Sequence, residues 1–294
     1  MMKEAAMKEA DGLSDWVEGT IKKFCLESPD NSLKNEANER AWDEPLVGFS
    51  SGGDPLYPQL KQDIGSFLWT PIEVFELTFP QVTVSPSDLT VISWILPQTD
   101  ATKADHRKET AYPSERWVRS RSHGETFNAK LRKYVVDTLQ AAGFESVAPI
   151  DSPSWSRETS QRYGFASKWS ERHAAHLSGL GAFGLCDGLI TPAGKAVRCG
   201  SVLSRIPIQP TSRPYMDHRA YCLFFSHGKC GKCIKRCPVG AISEHGHDKM
   251  KCHDYIRNVT VQYGKDRFGI ETNACGLCQT RVPCESKIPL VKKN

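Results

Sequence analysis

The sequence predicts an α+β protein in two parts, a mixed helix-and-strand domain over residues 1–212 and a small cysteine-rich domain over residues 213–294. Three observations predict it. Helical and strand periodicities alternate through the first two-thirds of the chain. Eight of the eleven cysteines crowd between Cys222 and Cys284. Between these regions, Ile206-Pro207-Ile208-Gln209-Pro210-Thr211-Ser212-Arg213-Pro214 punctuates the chain with prolines and marks the boundary. The 294 residues suffice for two modest domains, and 39% hydrophobic with 24% charged residues is ordinary for a globular chain. A net charge of +4 is too weak and too dispersed to argue for a nucleic-acid surface.

In chain order, residues 11–28 read as an amphipathic helix, with Leu13, Trp16, Val17, Ile21 and Phe24 at helical spacing and Asp11 or Ser14 as N-cap. Pro45-Leu46-Val47-Gly48-Phe49 and Gly52-Gly53-Asp54-Pro55 read as turns, and residues 56–77 as helix interrupted or restarted at Pro71. Leu89 to Leu96 is a strand apolar on both faces, as in a buried sheet. Phe127, Leu131, Val135, Leu139 and Ala142 predict a helix over 120–142, stopped by Gly143. Val147 to Ile150 is a short strand, and 167–178 a further helix ending at Ser178-Gly179-Leu180-Gly181-Ala182-Phe183-Gly184. Gly188–Thr191 and Ala196–Leu203 read as strands around Pro192-Ala193-Gly194-Lys195.

Chemistry concentrates in the cysteines. In a reducing compartment structural disulfides are disfavoured, so a dense cysteine block reads as metal ligation. From Cys230 the chain runs C-x2-C-x3-C-P through Cys233, Cys237 and Pro238, the second half of the bacterial ferredoxin pattern. The short spacers let neighbouring thiolates converge on one cuboidal cluster, while the cysteine before proline serves a second. The usual run has another cysteine three residues before Cys230, where this chain has His227. Cys222, reached by a longer loop, is the expected replacement, with His227 the rival ligand. The crossed logic of two-cluster modules then assigns Cys222, Cys230, Cys233 and Cys284 to one [4Fe–4S] cluster and Cys237, Cys252, Cys275 and Cys278 to the other. Two C-x2-C pairs would also suit structural zinc; the Cys-Pro followed by apolar residues favours clusters. Lys229, Lys232, Lys235 and Arg236 read either as a docking rim for an acidic redox donor or as solvated charge.

The stretch from Glu171 to the C-terminus resembles epoxyqueuosine reductases and, more distantly, reductive dehalogenases. Ser170-Glu171-Arg172-His173, the Gly-Leu-Gly segment, Gly188-Leu189-Ile190-Thr191-Pro192, Cys252-His253-Asp254-Tyr255-Ile256 and the Cys275/Cys278 pair carry the likeness. The resemblance implies a nitroreductase-like α/β domain that binds cobalamin, followed by the double-cluster ferredoxin-like domain. It assigns Gly179, Leu180, Gly181, Phe183, Gly184, Leu189 and Thr191 to the corrinoid, where glycines would let backbone amides approach a ligand. Taken alone, this G-x-G-x-x-G follows a helix and lacks the strand–turn–helix context of a dinucleotide site, so a tight turn explains it equally. His173 and His176 could flank the cofactor or sit in the core. The catalytic acid is where the likeness thins: the reductases' aspartate falls on Phe165. Asp151 is therefore the candidate proton donor, and Tyr163, by the dehalogenase analogy, its rival.

The expected protein is a cytoplasmic reductase in which electrons from a low-potential donor, such as ferredoxin or flavodoxin, pass through two [4Fe–4S] clusters to cobalamin and then to substrate. The alternative is a corrinoid-free ferredoxin-type carrier or redox partner. The chain lacks the helical repeats with which the resembled reductases help hold tRNA, so a small molecule rather than tRNA is the expected substrate. No run approaches the roughly 18–20 apolar residues of a membrane helix, and no signal core opens the chain, so no membrane partner is expected.

Overall fold

In a computed structural model of the chain, the backbone is described over residues 2–290 and the side chains from residue 12. The first helix, α1 (Met2–Glu27), begins earlier than its apolar spacing suggests, so Ser14 lies inside it rather than at its cap. The centre is a four-stranded antiparallel sheet in the order β1 (Leu46–Ser51), β2 (Thr90–Pro97), β8 (Val197–Ser204) and β3 (Ser146–Val147). Strand β2 is buried along its whole length, as its apolar run demands. Side chains alternate across it. Ile92, Trp94 and Leu96 meet Val17 and Ile21 of α1 and Phe127, Leu131 and Val135 of α5 (Glu115–Ala141). Val91 turns to the opposite face, towards Val74 and Phe75 of α3 (Pro71–Thr78) and Leu177 of α6 (Glu171–Leu177). The mixed α+β class follows directly.

Local departures have tertiary causes. The turn expected at Pro45–Phe49 is instead the edge strand β1, whose backbone is satisfied by pairing Leu46 with Ile95 through to Ser51 with Thr90. The expected 56–77 helix is two, α2 (Leu56–Ile64) and α3, with Pro71 at the start of the second. Helix α4 (Asp100–Lys108), unanticipated, is capped by Thr99. The strand expected to Ile150 stops at Val147, where Pro149 opens a 3-10 turn. The helix expected from residue 167 starts only at Glu171, because residues before it form a hairpin of β4 (Arg157–Ser160) and β5 (Gly164–Ser167).

A small ribbon of β6 (Ala182–Phe183) and β7 (Leu189–Ile190) leads into β8. Beyond it lie the short helices α7 (Leu223–His227) and α8 (Lys232–Arg236), the hairpin β9 (Ile242–Ser243) and β10 (Gly246–His247), and helices α9 (Lys249–Tyr255) and α10 (Val261–Phe268). The proline-rich stretch between the halves packs closely. Ile206 and Ile208 join the main core, and Thr211 exchanges hydrogen bonds with Phe49 of β1. Arg236 is not a rim residue. Its guanidinium donates to the carbonyls of Glu109, Leu277 and Thr280, stapling the C-terminal part to the first. No helix among the described residues is long and apolar enough to cross a membrane.

Candidate redox centre

The C-terminal elements gather the thiols. Cys222 precedes α7 as its cap, and the left-handed Gly228 ends that five-residue helix, turning the chain back to present Cys230. Cys233 lies one turn on, in α8. Cys222, Cys230, Cys233 and Cys284 line one narrow cavity, with Gly184, Leu185 and Lys195 among the residues of its wall. Cys284 arrives from the far end of the segment because the backbone amide of Lys195 donates to its carbonyl at 2.8 Å. Cys222, Cys233 and Cys284 are buried among Leu185, Ile190, Ile242 and Val282, an apolar shell that keeps water from sulfur. His227 is exposed, and its Nδ1 pairs with the adjacent Ser226 hydroxyl at 2.7 Å.

In the second set, Cys252 and Cys275 interact with each other and with Cys237, and Cys278 interacts with Cys275. Burial and neighbouring thiols push Cys252 and Cys275 up to about 11. Buried thiols crowded in this way ionise together only beside a strong cation, which iron would supply. Among the described residues no three His, Cys, Asp or Glu groups converge on a single ion position. The chemistry of the donor set, eight thiols in one segment, fits thiolate-held clusters.

Cys186, which the motif leaves unused, stands between the sets. The neighbouring thiols of Cys233 and Cys278, together with the Lys195 ammonium, hold its thiol well below the ordinary range. Lys195 Nζ donates to its Sγ at 3.2 Å. No sequence signal marks Cys186, since it belongs to no spacing pattern.

The residues assigned to the corrinoid are arranged differently from the expectation. At Gly179 (φ 77°) an added Cβ would meet the Ser212 carbonyl oxygen at 2.7 Å, and at Gly181 the Ile190 carbonyl oxygen at 2.5 Å. These glycines admit the chain's own backbone. Leu180 and Leu189 are buried beside Ile95, and the Thr191 hydroxyl donates to the Gly194 carbonyl at 2.8 Å. His176 Nδ1 pairs with the Gly181 carbonyl at 2.7 Å, and Tyr215 donates to the His176 carbonyl at 2.6 Å, latching the turn shut. Phe183 packs against His173, whose imidazole is pushed down to about 3 by burial and the neighbouring Arg172 charge. Gly184 lies at the thiol cavity rather than with a separate ligand. These seven residues therefore do not present a cradle for a corrinoid, and no step is derived through one.

Both candidate acids have partners. Asp151 takes a forked ion pair from Arg132 at 2.9 and 3.2 Å. Tyr163 donates to Asp63 at 2.6 Å, and burial together with that bond raises its phenol. The acid that sequence reasoning missed is Glu171. Its Oε2 accepts from the Ser201 hydroxyl, its Oε1 is buried without a partner, and burial pushes its carboxyl up to about 7. A glutamate in the first turn of a helix is unremarked in sequence; only the packing of α6 on β8 buries it.

The fold and site define an α+β protein whose buried thiol sets suit redox metal clusters. No family model matches the chain. Epoxyqueuosine reductases of Bacillus anthracis and Bacillus cereus are each 30% identical to it over 119 residues, 39% of this chain and 29% of their own length. The chain thus matches less than a third of those curated relatives' length. Its fold is similar to that of the catabolic reductive dehalogenase NpRdhA solved with 3-bromo-4-hydroxybenzoic acid, with TM-score 0.51 and 15% identity over 83% of this chain and 30% of that one. An epoxyqueuosine reductase solved with an epoxyqueuosine-modified tRNA stem loop aligns at TM-score 0.48 and 17% identity over 93% of this chain and 68% of that one. The expectation of a small molecule rather than tRNA is corrected by the sequence relatives. The sequence relatives are epoxyqueuosine reductases, the class whose substrate the expectation had set aside. The absence of helical repeats from this stretch of chain was no ground for setting tRNA aside.

Proposed function

We propose that this protein is an iron–sulfur reductase of epoxyqueuosine-reductase type, relaying single electrons through two [4Fe–4S] clusters to a reducible organic group. The observation that supports this most strongly is the cavity lined by Cys222, Cys230, Cys233 and Cys284, drawn from opposite ends of the cysteine-rich segment. Those four would hold one cluster and Cys237, Cys252, Cys275 and Cys278 the other, in a ferredoxin-like domain beginning near residue 213. The clusters supply one-electron carriers, while the protein excludes water and sets their potentials. A ferredoxin or flavodoxin is the donor class. The substrate class taken from the sequence relatives is an epoxyqueuosine-bearing tRNA. A two-electron reduction also consumes protons. Glu171 is the buried acid with an unpartnered oxygen, whereas Asp151 is tied to Arg132 and Tyr163 to Asp63.

Anaerobic reconstitution should load roughly eight iron and eight sulfide per chain, giving a brown protein that bleaches on reduction. A colourless, zinc-filled chain that takes up no iron would overturn the reading. The closed Gly-Leu-Gly turn favours a second form of it, a corrinoid-free carrier or reductase. Hydroxocobalamin added to the loaded protein separates the two: a base-off spectrum means a corrinoid held by residues other than Gly179–Thr191, and an unchanged spectrum means a corrinoid-free protein.

The Glu171 carboxyl has a pH signature independent of substrate. Its pKa is about 7 in the fold against 4.5 when unperturbed, so the native state holds the extra proton between those values. Stability therefore falls as pH rises through that window and levels off above it. Glu171→Gln removes this contribution. The variant should gain on the wild type in urea midpoint between about pH 5 and about pH 8, and parallel curves would mean the carboxyl is solvated.

A further inference from the structure

Lys195 is 2% exposed, at the start of the chain that becomes β8. Burying an ammonium is costly unless opposite charge faces it. Here thiols face it: Nζ donates to Cys186 Sγ at 3.2 Å, Lys195 lines the cavity with Cys233 and Cys284, and Cys278 also acts on its charge. Cys233 and Cys284 belong to the first proposed cluster set and Cys278 to the second, and Cys186 neighbours both Cys233 and Cys278. The placement is built into the backbone. Lys195 N donates to the carbonyls of Cys284 and Glu285 at 2.8 and 3.1 Å. At the preceding Gly194 (φ 85°), a Cβ would meet the Glu285 carbonyl oxygen at 2.2 Å. Any side chain at 194 would push these two segments apart and withdraw the ammonium from the thiols.

We propose that Lys195, held by its backbone bonds beside the two thiol sets, is the fixed positive charge that raises the reduction potential of the cluster at Cys222, Cys230, Cys233 and Cys284. The inference rests on the cluster reading above. A cluster ligated by four thiolates is an anion, and reduction adds one further negative charge without making or breaking a bond. Potential is set by net charge, hydrogen bonding to sulfur and solvent exposure, and a buried cation at this position favours the reduced form. The step affected is one-electron transfer from a reduced ferredoxin or flavodoxin. Lys195 is a positioning residue and exchanges no electron itself.

The test uses the full chain, reconstituted anaerobically, with iron analysis and a redox titration followed by electron paramagnetic resonance. Lys195→Gln should load the same iron and shift the one-electron reduction equilibrium of one cluster at least tenfold towards the oxidised form, about 59 mV more negative. Lys195→Arg, which retains the charge, should recover most of that shift. Full iron loading with both potentials unchanged in the Gln variant would overturn the proposal. If the Gln variant fails to load, Cys186→Ala decides. It removes the intervening thiol but keeps the ammonium, so the potential should not fall, and a tenfold shift to the oxidised form would overturn the assignment to Lys195. Failure of the cluster reading is distinguishable, because the wild-type chain would then take up no iron.

Discussion

Cys222→Ser should reduce reconstituted iron from roughly eight to roughly four per chain, whereas His227→Ala should leave it unchanged. The two candidates differ in placement rather than in ligand chemistry. Cys222 is 8% exposed and faces the cavity shared with Cys230, Cys233 and Cys284. His227 ends the short helix α7 in solvent, its ring engaged by Ser226. In the usual pattern a short loop delivers the first cysteine. Here α7 fills the interval from Cys222 to Cys230, and Gly228, with φ 62° at its end, reverses the chain so that both sulfurs reach one space. Serine keeps the shape of the cap but is a poor iron ligand, so the surviving cluster should be the one at Cys237, Cys252, Cys275 and Cys278. Loss of four iron atoms in the His227 variant alone would reverse the assignment.

Arg132→Met should destabilise the protein by about 3–5 kcal/mol in equilibrium urea unfolding, because it breaks a buried charge network from its centre. Arg132 is 4% exposed on α5. It pairs with Asp151 at 2.9 Å, lies 3.6 Å from Glu125 and faces the Glu171 carboxyl. Methionine fills similar volume but takes the guanidinium away from Asp151 and from the buried Glu171 carboxyl, while Glu125 keeps its pair with Arg198. Asp151→Asn should cost much less, about 1 kcal/mol or below, since its side chain is 45% exposed and Glu125 still faces the guanidinium. Similar losses for both variants would mean that Asp151 supplies most of the network's stability. A stability loss in Asp151→Asn with normal substrate reduction would remove Asp151 as the proton donor and leave it as the counter-ion that orients Arg132.

The candidate thiol ligands could be listed from sequence because cluster chemistry constrains local spacing. C-x2-C-x3-C-P places sulfurs within a few bonds' reach of one another whatever surrounds them, and so the set could be written down residue by residue. The buried strand at Thr90–Pro97 and the long helix α5 were readable for the same reason, since their periodicities are local. The Gly-Leu-Gly segment was ambiguous in sequence, because a glycine makes room for whatever comes near. In the fold it is the chain itself, the Ser212 and Ile190 carbonyls, that comes near.

By itself the sequence determined that this is an α+β chain with a thiol-rich C-terminal part, and which cysteines are candidates for metal ligation. Tertiary structure alone decided that Lys195 and Cys186 would stand between the two thiol sets, that Glu171 would be buried with an unsatisfied oxygen, and that Arg236 would staple the halves together. Each of these depends on segments distant in sequence meeting in space. The electrostatic character of a lysine or a glutamate is set by what removes water from around it, and that neighbour is named nowhere in the residues alongside.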